Sequence, residues 1–196
     1  IGYIYMSMDR VLEVIDLVTT DPKVRSIINS VNKNQEKSKD WLIQKSTQYL
    51  ELFVDPKIVV LAGWYGNLAN RLSKFSNNKV VSIDIDDQCK HIGKKLYDNI
   101  KFKTENIIDS DLNDYNVVIC TSCEHINGID FDIVYDKIKK GSLVILQSNN
   151  YYDFEEHIRC FNNLSEFKES VSFHKLLYEG ELKLAKYDRF MLIGIK

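Results

Sequence analysis

Thr121-Ser122-Cys123-Glu124-His125 places two hydroxyls, a thiol, a carboxylate and an imidazole in consecutive positions, directly after the apolar run 116–120. A neutral imidazole is the side-chain base whose ordinary pKa lies nearest neutrality, and a carboxylate joins it there when its own pKa is raised. Glu124 and His125 are therefore the candidate catalytic bases, with Cys123 behind them. Cys123 as a nucleophile needs a lowered pKa, which His125 supplies only if the turn brings the two together. Cys120-x-x-Cys123 with His125 is part of a zinc or redox pattern. Cys120 belongs to the apolar run, however, and a second Cys-x-x-Cys pair is absent, so no metal centre is expected.

A second constellation lies in the segment 57–86, KIVVLAGWYGNLANRLSKFSNNKVVSIDID. Ile58, Val59, Val60 and Leu61 form an unbroken apolar run, the pattern of a strand buried on both faces of a parallel sheet. The turn Ala62-Gly63-Trp64-Tyr65-Gly66 follows, and then Leu68, Leu72 and Phe75 at helical spacing. Val80, Val81 and Ile83 make a second strand that ends at Asp84. A small-residue turn between strand and helix aims backbone N–H groups at a ligand. A carboxylate about 20 residues on, at the tip of the next strand, suits ribose hydroxyls. This unit predicts a nucleoside-cofactor site. Two more polar groups follow later strands. Asn106, beside Ile107, offers an amide donor and acceptor, or else serves a turn. Gln147-Ser148-Asn149-Asn150-Tyr151 is a hydrogen-bonding cluster suited to a polar substrate, or else a capped turn.

The order of these elements over residues 57–196 resembles the class I S-adenosylmethionine (SAM) methyltransferases. Ala62, Trp64 and Gly66 fall at the three glycine positions of that family's first motif, with Gly63 between, and Asp84 matches the acidic residue of the second. Trp64 departs from a glycine, and Val60 stands where many members carry an acidic residue that helps hold the methionine amino group. The resemblance implies SAM as cofactor. It assigns the turn 62–66 and Thr121 to the methionine side, Asp84 and Ile85 to the ribose side, and Asn106 and Ile107 to adenine. Trp64 and Tyr65 either wall the cofactor or pack beneath the preceding helices. The tip of strand four, from Ser122 to His125, then meets the methyl acceptor, with Asn149, Asn150 and Tyr151 lining its pocket. The expected activity is methyl transfer to a small or mid-sized polar acceptor. Cleavage of SAM, transfer of another sulfonium arm, and a catalytically silent binding module are the alternatives. The Asn/Asp-Pro-Pro-aromatic sequence of the family's DNA amino-methyltransferases is absent, which counts against a nucleic-acid base as acceptor.

The elements that must position these groups alternate strand and helix five times. The fold expected from the resemblance is α/β and Rossmann-like: a mostly parallel seven-stranded sheet with helices on both faces. A C-terminal antiparallel hairpin is expected from HKLLYEGELKL and RFMLIGIK. Residues 1–55 are expected to form an N-terminal helical extension or cap, and residues 56–196 the cofactor-binding domain. In the cap, Ser7 heads a helix carrying Val11, Leu12, Ile15 and Val18, and Asp21-Pro22 starts a second. The polar stretch 31–39 is expected as a loop leading into a third helix with Trp41, Leu42, Tyr49 and Leu50. Phe154, Ile158 and Phe161 suggest a helix after strand five, and Lys140-Gly141 a helix stop.

The 196 residues are 44% hydrophobic and 28% charged, ordinary for a globular protein, and the net charge is −2. That balance supplies no general attraction to a phosphate backbone. No run approaches the ~20 apolar residues of a membrane span. Four cysteines without a disulfide pattern, and no visible signal peptide, make the cytoplasm the expected location.

Overall fold

A computed structural model describes Leu12, Ile15 and residues 19–196; of the helix expected from Ser7 only Leu12 and Ile15 are among them, both helical, and the rest lies outside the described residues. Helix α1 (Pro22–Ser30) starts as its sequence predicts, with the Lys23 N–H donating to the Asp21 carboxylate at 2.8 Å and proline in the first turn. Helix α2 (Lys33–Leu50) begins earlier than expected. The stretch 33–39 is helix rather than loop, because Asn32 caps it by accepting from the N–H groups of Asn34 and Gln35, both at 3.0 Å. Lys, Gln and Glu then propagate a helix well without apolar residues.

The sheet contains β1 (Ile58–Leu61), β2 (Val81–Asp84), β3 (Lys101–Thr104), β4 (Val117–Cys120), β5 (Leu143–Asn149), β6 (Lys175–Lys183) and β7 (Asp188–Ile195). Their order is β3-β2-β1-β4-β5-β7-β6. The pairs among β1 to β5 are parallel, while β7 is antiparallel to both β5 and β6. The expected sheet and hairpin are thus both present. Helices α3 (Asn67–Leu72), α4 (Asp87–Leu96), α5 (Gly128–Asp136) and α6 (Leu164–Glu169) lie between strands, but residues 105–116 join β3 to β4 without a helix, so the expected alternation is broken there.

Both faces of β1, β4 and β5 are buried, which is why β1 and β4 run apolar without alternation. Val59, Leu61, Val118, Cys120, Val144 and Leu146 pack on one side with Phe131, Val134 and Phe167. Ile58, Val60, Val117, Ile119, Leu143 and Ile145 pack on the other with Trp41, Leu42 and Leu50 of α2. Further ties join α2 to the hairpin side of the sheet: Tyr49 donates to the Leu177 carbonyl at 3.0 Å, and Ser38 to Gln147 Oε1 at 2.9 Å.

Three other expectations are corrected. Strand β5 does not stop at Leu146 but runs to Asn149, since β7 continues the pairing through Gln147–Met191, Ser148–Phe190 and Asn149–Arg189. Residues 154–161 are irregular rather than helical, with Phe154 and Ile158 at 52% and 59% exposure. Phe154 packs instead on Tyr151, ring to ring at 5.1 Å. Helix α5 ends at Asp136, so Gly141, at φ +86°, turns the chain into β5 rather than stopping the helix.

Lys39, on α2, is half-buried and donates to the Ser30 carbonyl at 2.8 Å. Burial pulls its pKa from 10.5 down to about 8, helped by Arg189 and Arg71 and opposed by Glu36. Between pH 8 and 10.5 the unfolded chain therefore holds this proton and the folded chain does not, so Lys39 makes stability rise with pH across that window. Tyr135 and Cys89, pushed up to about 12 by burial, act in the opposite sense at alkaline pH. Comparing chemical denaturation of wild type and Lys39→Met at pH 8 and pH 10 isolates the lysine. The advantage of the variant should shrink as pH rises; a constant difference would show that Lys39 is not depressed.

Candidate active site

The β1–α3 turn is held by unusual backbone angles. Ala62, Trp64 and Gly66 have φ of +47°, +52° and +86°. These are the three positions matched above to glycines, and all three take the left-handed conformation that glycine adopts without strain. What holds tryptophan there is visible. Its N–H donates to Asp84 Oδ2 at 2.9 Å, its indole Nε1–H to Ser26 Oγ at 3.2 Å, and its ring stacks on Tyr65 at 5.7 Å. The Tyr65 hydroxyl also reaches Ser26 Oγ, at 2.9 Å, and Tyr65 is buried. Both aromatic residues thus tie the turn to α1. Gly63 has its own reason: a Cβ there would stand 2.2 Å from Ser82 Oγ on the neighbouring strand.

Asp84 ends β2 beside this turn, with its other oxygen accepting the Asp86 N–H at 3.1 Å. Next to it Ile85 is 70% exposed, an apolar side chain left open at the tip of a strand. Asn106 uses Oδ1 to accept the Ile108 N–H at 3.1 Å, an Asx turn that leaves its amide donors for another partner. Ile107 is partly buried against the core.

The tip of β4 is a short 3₁₀ turn, Cys123–His125, whose members are placed very differently. Cys123 is fully buried, and burial holds its thiol well above the ordinary range, so it is neither exposed nor ionised at neutral pH. Glu124 is buried and ion-paired with Arg189: Nη1 to Oε1 is 3.4 Å, with side-chain exposures of 4% for Arg189 and 5% for Glu124. Arg189 also donates to Gln147 Oε1 at 3.2 Å and to the Thr121 carbonyl. His125 alone of the three is exposed. Its Nδ1–H donates to the Glu156 carbonyl at 3.1 Å, since a carbonyl only accepts, which leaves the Nε2 lone pair open.

The polar cluster at the end of β5 is mostly engaged internally. Asn149 is buried, accepting from the Tyr151 N–H at 2.9 Å. Asn150 donates to Asp188 Oδ2 at 3.2 Å and accepts the Asp188 N–H at 2.7 Å, locking β5 to β7. Tyr151 stacks on Tyr187 at 5.1 Å and offers its carbonyl to His157 Nδ1–H at 2.6 Å. Ser122 is half-buried, its carbonyl accepting the His125 N–H at 3.1 Å. Two residues not foreseen complete the region: Arg189, from β7, and His157, whose ring meets that of His125 edge to face at 4.8 Å. His157 carries no local motif. Arg189 stands out only as a cation just ahead of the apolar run of β7.

The chain has the fold of the class I SAM-dependent methyltransferases. Among solved structures it is similar to magnesium protoporphyrin IX methyltransferase from Synechocystis PCC 6803 with bound SAH, at 12% identity and a TM-score of 0.67, over 96% of this chain and 93% of that one. It is similar also to the N-methyltransferase NodS from Bradyrhizobium japonicum WM9 in complex with S-adenosyl-L-homocysteine, at 11% identity and a TM-score of 0.66, over 96% and 97% of the two chains. The CurJ carbon methyltransferase matches at 10% identity and a TM-score of 0.67, over 93% of this chain and 61% of that one. No protein-family model and no curated protein sequence matches the chain. Among the described residues no helix is long and apolar enough to cross a membrane.

Proposed function

We propose that the protein is a SAM-dependent methyltransferase acting on a small or mid-sized polar acceptor. The observation that carries this reading is Asp84, fixed by two backbone N–H groups at the tip of β2 against the left-handed β1–α3 turn. Ligands of open α/β sheets bind where neighbouring connections diverge, and β1 lies between β2 and β4. A carboxylate accepts about four hydrogen bonds, so two positions remain on Asp84 for a ribose diol. Ile85 and Ile107 would flank the adenine, and the Asn106 amide donors would meet its edge. Bound there, SAM supplies a methyl group on a sulfonium that neutral acceptors attack. The chain's own part is to orient the cofactor and to manage the acceptor. His125 Nε2, with its tautomer set by Glu156, has the lone pair that would take the acceptor's proton. Glu124 would act from its buried position, and the acceptor would reach the site past Tyr151.

The similar proteins differ in acceptor, an N-methyltransferase and a carbon methyltransferase among them. Fold therefore does not name the acceptor. Incubation with SAM separates the readings by product. S-adenosylhomocysteine marks methyl transfer; methylthioadenosine marks cleavage or transfer of another arm; tight binding without turnover marks a silent module. Asp84→Ala should weaken SAM binding by about 1.5–3 kcal/mol, roughly 10- to 150-fold, the scale of hydrogen bonds to a charged group. Calorimetry giving wild-type affinity in the folded variant would remove Asp84 from the ribose site, and a preference for NADH would remove the cofactor class.

A further inference from the structure

Glu124, His125 and His157 converge at the tip of β4. One ligand atom from each lies within 4.8 Å of the others. We propose that these three side chains bind one divalent first-row transition ion, with open coordination positions for an oxygen of the substrate. This differs from the expectation of no metal centre, which weighed Cys120 and Cys123 and had no reason to include a histidine more than thirty residues away.

Four observations point to a ligand set rather than to a chance meeting of side chains. The first is Glu124 Oε2, which is buried and without a hydrogen-bond partner among the described residues. Leaving a carboxylate oxygen orphaned in the interior is costly, and a cation is the partner that such an oxygen calls for. The second is that Arg189 takes the other oxygen, Oε1, at 3.4 Å. That contact orients the carboxylate from behind. The Arg189 charge is in turn shared with Gln147 Oε1 and the Thr121 carbonyl, rather than left to repel a cation alone. The third and fourth are the histidine tautomers. His125 Nδ1–H donates to the Glu156 carbonyl at 3.1 Å, and His157 Nδ1–H to the Tyr151 carbonyl at 2.6 Å. Metal-binding histidines characteristically anchor one nitrogen in this way and present the other to the ion. Here two imidazoles are so anchored, in the same cluster as the orphan carboxylate oxygen.

The geometry needs a small adjustment. Ligands about 2.1 Å from a tetrahedral ion stand roughly 3.4 Å from one another, so side chains whose ligand atoms lie within 4.8 Å must close by up to about 1.4 Å. His125 is exposed and His157 half-buried, so both have room to turn. Two imidazoles and one carboxylate suit zinc, cobalt(II) or iron(II), and not magnesium or calcium, which prefer all-oxygen sets. Three protein ligands leave at least one position open. An ion there would take the Nε2 lone pair of His125, and would replace that imidazole as the group that makes an acceptor oxygen reactive. The role therefore rests on the methyltransferase reading, while the binding site stands on its own geometry.

The test is titration of the metal-free, untagged chain with Co²⁺ alone, followed by visible absorbance. One Co²⁺ per chain is expected, unaffected by excess Mg²⁺. His125→Ala and His157→Ala should each weaken binding about 100-fold or more, since even outer partners of metal ligands command 10- to 100-fold. His91→Ala, remote in sequence from the cluster, should leave binding unchanged. Glu124→Gln provides a third variant, and circular dichroism establishes that each is folded. SAM affinity measured on the same histidine variants should stay within about 2-fold of wild type. No Co²⁺ binding, or binding that survives both histidine substitutions, overturns the metal site. Co²⁺ bound at the three residues by a chain with no affinity for SAM keeps the metal site and instead defeats the methyltransferase reading.

Discussion

Arg189→Met is expected to destabilise the fold by about 3–5 kcal/mol, the cost of removing one partner from a buried ion pair. The substitution keeps an unbranched apolar stem while removing the guanidinium, with its charge and its donors. Glu124 would then keep its charge in the interior without its neighbour, one oxygen having no partner among the described residues even now. The Thr121 carbonyl and Gln147 Oε1 would each lose a donor as well. Chemical denaturation measures the effect as a lower midpoint at unchanged slope. The double variant Arg189→Met with Glu124→Met should recover most of the loss, because apolar replacement of both partners removes the desolvation penalty too. A single variant within about 1 kcal/mol of wild type would show that Glu124 is neutral or solvated in solution.

Gly66→Ala should cost about 2–5 kcal/mol. Its φ of +86° puts an alanine in the left-handed region, at about 1–2 kcal/mol. The added methyl would also stand 2.5 Å from Ile100 Cδ1 and 2.6 Å from Phe102 Cζ. The isoleucine tip has freedom to yield. The Phe102 ring has little, because its far side is pressed against Gly93, where a Cβ would come within 2.3 Å of the same Cζ. Overpacking of that kind costs about 1–3 kcal/mol. The ring is gripped between two glycines, one from the cofactor turn and one from α4, so the strain should spread into the turn and weaken SAM binding alongside stability. Denaturation within about 0.5 kcal/mol of wild type would mean that the turn relaxes at no cost.

Most of the strands were legible because parallel strands buried on both faces leave continuous apolar runs, and the cofactor turn because a glycine-spaced turn and an acidic strand tip carry their own local signs; the arrangement of the sheet was expected only from the resemblance. Asp84 and the turn 62–66 are therefore found next to each other, as their spacing suggests. The second half of the site is different in kind. Gln147, Ser148 and Asn149 look like a loop, yet they are strand, because their partners on β7 lie about forty residues further along the chain. The Glu124–Arg189 pair spans 65 positions, and nothing near Glu124 announces a counter-ion. His157 sits in irregular chain placed by the Tyr151 ring and carbonyl. Buried polar groups are satisfied by whatever the topology brings, so their roles are readable only once the topology is known. The polar stretch 33–39 fails for another reason: helix propensity and a cap suffice without an apolar face.

The strand order also has a kinetic consequence. Strand β7 sits between β5 and β6, so until it docks, β5 is an open edge whose every residue ends up buried. A bare apolar edge of that kind invites pairing with a second chain. The β6–β7 hairpin that covers it is built from contacts close in sequence, and such contacts form early. Once it docks, the edge left to solvent is β6, which exposes Lys175, Glu179, Glu181 and Lys183. Strand β3 closes the opposite side with Lys101 exposed and Lys103 half-buried. Docking of one hairpin thus exchanges an adhesive border for a charged one, and the same event delivers Arg189 to Glu124.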